Sequence, residues 1–300
     1  MAKITEYLKA FFIILVLLHI APPILKNIKQ QWIDNLEPKN HVGLICFNDS
    51  ICSSQSYNKQ LQKYFKDPEI KAILLKIDSP GGACGASQAV ALEILQLKKD
   101  YPKPIVTYSE NLCASGAYHI AAMTDHIVTT GSCIVGSIGS KLATQFKLKQ
   151  LLQEYKIQTH SISSGSCKDA LNPFEELTDE QKQMLQQLTD DAYVQLTTEI
   201  AKQRHLNLQN KDIWANGKVF SGNEALKLKL IDTIGNQTTA IDYIKQNILH
   251  SDREISFVKS AQPATWKQWI QSDEDNDEMQ CTLSESLWTG LINAIKKQTY

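Results

Sequence analysis

Ala72-Ile73-Leu74-Leu75-Lys76-Ile77, running directly into Asp78-Ser79-Pro80-Gly81-Gly82, is the stretch on which the fold turns. A short apolar run closed by Pro and paired Gly has the length and punctuation of a buried strand ending in a turn. Helical periodicity follows over residues 85–99, and a β-branched run over 105–108 comes next. Strand, turn, helix and strand again is the unit of a parallel sheet. The same rhythm extends outward, with strands expected at 42–47, 127–129 and 158–162 and helices near 54–66, 115–124, 145–155 and 179–204. The chain therefore reads as α/β, a mostly parallel sheet with flanking helices.

Three hundred residues, 43% of them hydrophobic, supply a full core, and the composition excludes disordered, collagen-like and multi-span membrane classes. Lys plus Arg number 31 and Asp plus Glu 32, so the net charge of −1 leaves no basic field for nucleic acid. Arg204 and Arg253 are the only arginines, which further weakens any reading built on bidentate phosphate recognition. Seven cysteines, an odd number without CxxC spacing, read mostly as small buried hydrophobes. No GxGxxG follows a strand, and neither a P-loop nor an HExxH occurs. Neither a cofactor nor a metal is expected.

Both ends depart from the globular pattern. Residues 8–25 are almost wholly apolar up to Pro22-Pro23, Tyr7 and Trp32 bracket them, and Lys3, Lys9, Lys26 and Lys29 flank them. As a helix this run would measure about 27 Å, close to the roughly 30 Å of a hydrocarbon core. A retained membrane anchor over residues 1–33 fits best, because no small-x-small cleavage site follows; a cleaved signal peptide and a buried helix are the alternatives. The main domain spans 40–250. Within the remaining 251–300, Ser272-Asp273-Glu274-Asp275-Asn276-Asp277-Glu278 reads as a solvated linker, and Leu283, Leu287, Trp288, Leu291 and Ile295 as one face of an amphipathic helix.

Two segments carry potential chemistry. In Glu110-Asn111-Leu112-Cys113-Ala114-Ser115-Gly116-Ala117-Tyr118-His119, a serine between small residues at a strand-to-helix turn can be exposed as a nucleophile. It could equally cap the helix. His119 lies one turn along the same helix, so its ring would run beside Ser115 rather than face its oxygen. The better base is Lys168, in Ser163-Ser164-Gly165-Ser166-Cys167-Lys168-Asp169. An amine with an ordinary pKa near 10.4 accepts a proton at neutral pH only after losing about 3 units, roughly 4 kcal/mol of desolvation. Lys168 is therefore expected to be buried.

Ser79-Pro80-Gly81-Gly82, Ala114-Ser115-Gly116-Ala117-Tyr118, Gly136-Ser137-Ile138-Gly139, the loop from Ser164 through Lys168-Asp169 to Pro173, and Gly217-Lys218-Val219-Phe220-Ser221-Gly222 with Leu230-Ile231-Asp232 occur in this order. Together they resemble the signal peptide peptidase A family of serine proteases, over roughly residues 40–250. The resemblance implies a ClpP/crotonase-like fold and a Ser/Lys dyad: Ser115 as nucleophile, Lys168 as general base, Ser137 orienting the lysine, and the main-chain N–H groups of Gly82 and Gly116 as an oxyanion hole. It also implies a homo-oligomeric ring, in which serine and lysine can come from neighbouring subunits. Peptide or protein substrates, signal-peptide remnants among them, would be cleaved by a single-pass protein of a bacterial cytoplasmic membrane with its catalytic domain outside. The chain departs from the family pattern at Ala117, where a second Gly is usual, and at His119, where a second Tyr is usual. An acyl-CoA hydratase or hydrolase on the same architecture and an inactive membrane-tethered scaffold are the competing readings.

Overall fold

The computed structural model describes residues 40–142 and 144–259. The expected anchor and the C-terminal acidic run and helix lie outside them. Among the described residues no helix is long and apolar enough to cross a membrane.

The elements begin with β1 (Asn40–Phe47), α1 (Gln55–Lys66), β2 (Ile70–Ser79), α2 (Cys84–Asp100), β3 (Ile105–Ala114) and α3 (Gly116–Ala122). They continue through β4 (His126–Thr129), β5 (Ile134–Gly136), α4 (Lys149–Glu154), α5 (Asp179–Arg204), α6 (Lys211–Trp214), β6 (Val219–Ser221) and α7 (Gly222–Lys227). β7 (Thr233–Ile234), α8 (Gln237–Tyr243), a π-helix (Ile244–Leu249) and β8 (Ile255–Lys259) complete them. The sheet runs β6-β5-β3-β2-β1-β8, with β4 joining β3 to β7. β1, β2, β3 and β4 pair in parallel, whereas β5 and β6 are antiparallel. This is a mixed α/β fold on a mostly parallel sheet.

Strand alternation decides how the faces are covered. Ile73, Leu75 and Ile77 of β2 enter a core shared with α1, α2 and α3, through Leu61, Tyr64, Val90, Ile94 and Ile120. Ala72 and Leu74 point the other way, to Val106, Val128, Ala240 and Ile244 beneath α8 and the π-helix. A run buried on both faces is what a central parallel strand requires, which is why its sequence shows no polar alternation.

β3 forks the sheet. Its first half, Val106 to Ser109, pairs with β4, and its last residues, Leu112 to Ala114, pair with β5. Between the register pairs Ile77↔Ser109 and Ser79↔Cys113, β3 holds two more residues than β2. The irregularity frees the end of β3 from β4 and delivers it beside Gly136.

Three expectations need correcting. Residues 158–162 form no strand; the stretch is exposed, Ile162 completely so, and among the described residues no strand pairs with it. Of the five free cysteines among the described residues only Cys113 and Cys133 are buried. Cys46 falls on an outward position of β1 and Cys84 at the open start of α2, while Cys52 is disulfide-bonded. Lys168 is exposed rather than buried, in an arm whose hydrogen bonds run mainly within itself.

Candidate active site

Ser115 stands between β3 and α3 with φ 53° and ψ −123°, a left-handed conformation that a residue bearing a Cβ adopts only under constraint. The constraint is visible on both sides. Its N–H donates to Gly136 O at 2.7 Å, and its C=O accepts the first helical bond, from His119 N at 2.9 Å. The strand end is thereby held to β5 while the helix departs. Ser115 remains half-exposed although every residue of α3 is buried. A hydroxyl on such a turn is presented to solvent by a rigid support.

The turn after β2 approaches from the adjoining strand. Gly81 has φ 96°, and a Cβ there would lie 2.6 Å from Gly116 N and 2.9 Å from Ser115 Cβ, so only glycine permits the contact. Beyond it, Gly82 forms a parallel bridge with Ile51: Ile51 N donates to Gly81 O (2.8 Å) and Ala83 N to Ile51 O (2.9 Å). In this pattern the bridged residue's own N–H points to the opposite side. For Gly82 that side is α3, since a Cβ on Gly116 would stand 3.5 Å from Gly82 N and would overlap the Ser87 hydroxyl. The Gly82 and Gly116 amides thus lie next to one another beside Ser115, and Gly82 is exposed. Two adjacent N–H groups so placed can bind an oxygen that gains negative charge.

Ser137 follows β5 with φ 50° and donates its N–H to Lys218 O at 2.7 Å, which ties it to the segment entering β6. Ser115, Gly136, Ser137 and Lys218 are therefore linked through two consecutive main-chain bonds. The structure thus brings Ser115, Ser137, Gly82 and Gly116 into one neighbourhood through main-chain contacts.

Lys168 is held by a different set of bonds. Its N–H bonds to Gly165 O at 3.1 Å, and the turn is fastened to the first turn of α5 by Gln181 Nε2 donating to Ser166 O (2.9 Å) and Ser166 Oγ to Glu180 (3.1 Å). Pairs Lys147–Glu176 and Lys149–Glu175, with Leu148 N donating to Pro173 O, close the arm. The hydrogen bonds holding residues 147–178 run within that stretch or to α5. Among the described residues no hydrogen bond or ion pair joins Lys168 to Ser115 or Ser137.

His119 does not face Ser115. Its buried Nε2 meets Glu199 of α5 at 2.7 Å, and Gln88 of α2 donates to the other carboxylate oxygen at 2.9 Å. The hydrogen bond from His119 holds the Glu199 carboxyl below the usual carboxylate range. Burial pushes the Cys113 thiol well above its ordinary pKa, so it lies two residues before Ser115 as an inert apolar group. The sequence reading missed the Glu199 partner because nothing local links positions eighty residues apart.

A family model described as Peptidase family S49 matches residues 97–249, which covers β3, α3, β5 and the arm. The protein MJ0651 of Methanocaldococcus jannaschii is 35% identical over 199 residues, 66% of this chain and 63% of its own. Protease 4 of Salmonella typhi is 28% identical over 203 residues, 68% of this chain and 30% of its own. The chloroplastic serine protease SPPA of Arabidopsis thaliana is 27% identical over 209 residues, 69% of this chain and 30% of its own. The chain spans less than two thirds of the length of each. The matched span contains the elbow serine, the Gly-Ser-Ile-Gly turn and the lysine loop, and the chain belongs to peptidase family S49.

Proposed function

We propose that the chain is a serine-type endopeptidase that acts on apolar peptides, with its nucleophile and general base supplied by different copies in a homo-oligomeric ring of ClpP/crotonase-like subunits. The observation that carries the reading is the strained, half-exposed Ser115 set beside the adjacent Gly82 and Gly116 amides. Ser115 Oγ attacks the peptide carbonyl while Lys168 Nζ of a neighbouring copy takes its proton, and the two amides hold the oxyanion. Lys168 then returns the proton to the leaving amine, giving an acyl-enzyme. Water, deprotonated by the same amine, releases the acid and frees Ser115. Ser137 is assigned to orient the lysine.

Supply of the lysine from another copy is supported by the arm. Leu151, Tyr155, Ile157, Ile162 and Leu171 are exposed along it, more apolar surface than a solvated loop carries. A second copy covering this surface would dry the lysine, as a neutral amine requires.

The membrane assignment rests on residues 8–25, whose length and flanking lysines suit a single span. With that anchor, signal-peptide remnants in a bacterial cytoplasmic membrane are the fitting substrates, the catalytic domain lying outside.

The test uses the full chain in membranes or detergent. Ser115→Ala should abolish both fluorophosphonate labelling and hydrolysis of a quenched apolar peptide, and Lys168→Met should remain folded but inactive. Undiminished labelling of Ser115→Ala would remove the serine from its role.

A further inference from the structure

The Gly82 amide is only as well aimed as the turn that carries it, and that turn is fixed by one buried hydroxyl. Ser79, the last residue of β2, is fully buried. Its Oγ donates to Asp49 O at 2.6 Å and accepts the Gly81 N–H at 3.2 Å. Asp49 lies in the loop after β1, two residues before Ile51, which bridges Gly82. Ser79 thus closes a small ring of contacts: its hydroxyl grips one end of the loop, Ile51 holds the other, and Gly81, at φ 96°, is pinned between them. Gly81 in turn sits against Ser115 and Gly116.

We infer that Ser79 is a positioning residue for catalysis: its hydroxyl sets the Gly81 turn and thereby aims the Gly82 N–H toward the oxygen that develops charge. The inference rests on the proposed peptidase reading and adds a residue to it. Ser79 does not touch substrate, being buried behind the turn. Its loss would leave the Gly81 N–H and the Asp49 C=O unpaired and would free a glycine pair to rotate. Aim matters most in the transition state, because an amide misdirected by a few tenths of an ångström still tolerates a neutral carbonyl but holds an oxyanion poorly.

The experiment compares wild type, Ser79→Ala and Ser79→Cys in the full chain, the thiol being a weak hydrogen-bonding substitute of similar shape. Active sites are counted by fluorophosphonate titration, folding is followed by thermal melts, and a peptide boronate reports binding of a tetrahedral oxyanion mimic. Per titrated site, Ser79→Ala should lower kcat about 10-fold or more, with KM changed less than about 3-fold, since one oxyanion donor is misaligned rather than removed. Boronate affinity should fall in parallel, and Ser79→Cys should lie between the two. A folded Ser79→Ala with wild-type kcat and boronate affinity overturns the inference, as does a loss that disappears once the titrated fraction is counted. If the alanine variant fails to fold, Ser79→Cys must show the same split between kcat and KM, and its absence overturns the inference. A wild type that neither labels nor hydrolyses the peptide sinks the peptidase reading instead.

Discussion

Mixing two dead variants tests the shared site directly. Lys168 is exposed and has no bond to Ser115 or Ser137 within one chain, whereas Ser115 already has its elbow and its neighbouring amides. Chains carrying Ser115→Ala retain a sound lysine arm, and chains carrying Lys168→Met retain a sound elbow. If each site draws its elbow and its arm from successive subunits of a ring, equal co-expression gives independent draws of one half for each. About one site in four then combines a good elbow with a good arm, so per-chain activity should return to about 25% of wild type from a background near zero. Varying the expression ratio should trace the product of the two fractions, with its maximum at equality. Dilution below the assembly threshold should remove activity from wild type and mixture alike. The assay is hydrolysis of a quenched apolar peptide by the copurified mixed oligomer, with composition read by mass spectrometry. A mixture as inactive as its parents, in oligomers shown to contain both chains, refutes sharing and puts the lysine back with its own serine.

The remaining expectations concern the supports of the elbow. His119→Ala removes a buried ring and leaves Glu199 without its closest partner, at a cost of about 2 kcal/mol once the partial exposure of the carboxylate is allowed for. In a domain of this size that corresponds to a melting temperature about 4–8 °C lower at pH 7. Because His119 depresses the Glu199 pKa, the added stability is present above the unfolded carboxylate value of ~4.3 and is lost as pH falls through the folded value, so the gap to wild type should narrow in acid. A gap independent of pH from 7 to 3 would show that packing alone is involved. Gly82→Ala would bring a Cβ to 2.5 Å from Ile51 N, and since backbone cannot yield cheaply, the bridge should open. Per titrated site kcat should fall about 100-fold, and wild-type turnover would exclude the Gly82 amide from the reaction.

Much of the sheet was legible because its strands advertise themselves locally. The strands at 70–79 and 105–114 each contain the expected run, apolar at 72–77 and β-branched at 105–108. The short strands β5, β6 and β7 were not legible, because two or three residues carry no periodicity and owe their pairing to β3 and β4. The stretch at 158–162 failed for the converse reason: β propensity is a fit to a neighbouring surface, and among the described residues no strand pairs with it. Motif order brought Ser115, Gly82, Gly116 and Ser137 together on the page before any geometry. What the motifs could not carry was the support that holds these residues in place. The Ser79 hydroxyl, hidden inside Ser-Pro-Gly-Gly, reads from sequence as an ordinary turn residue. Its partner Asp49 lies thirty residues upstream and contributes only a backbone carbonyl.

The location of strain bears on the proposal that the site is built in two halves. Gly81, Ser115, Gly136 and Ser137 all have positive φ, and they meet where β2, β3 and β5 end. The two serines each cost of order 1–3 kcal/mol, and such conformations persist only where the surroundings over-determine them. Here the surroundings are main-chain bonds between strands and a completely buried α3, so the strain is carried by the best-packed part of the molecule. An amine that must lose its charge has the opposite requirement. Buried permanently in the same core, Lys168 would tax the stability of every free chain; left on an exposed arm, it is dehydrated only when a second surface closes over it. On the proposed reading the rigid half is complete in one chain while the half that demands desolvation waits for assembly, so activity would depend on the number of neighbours rather than on any movement of the elbow.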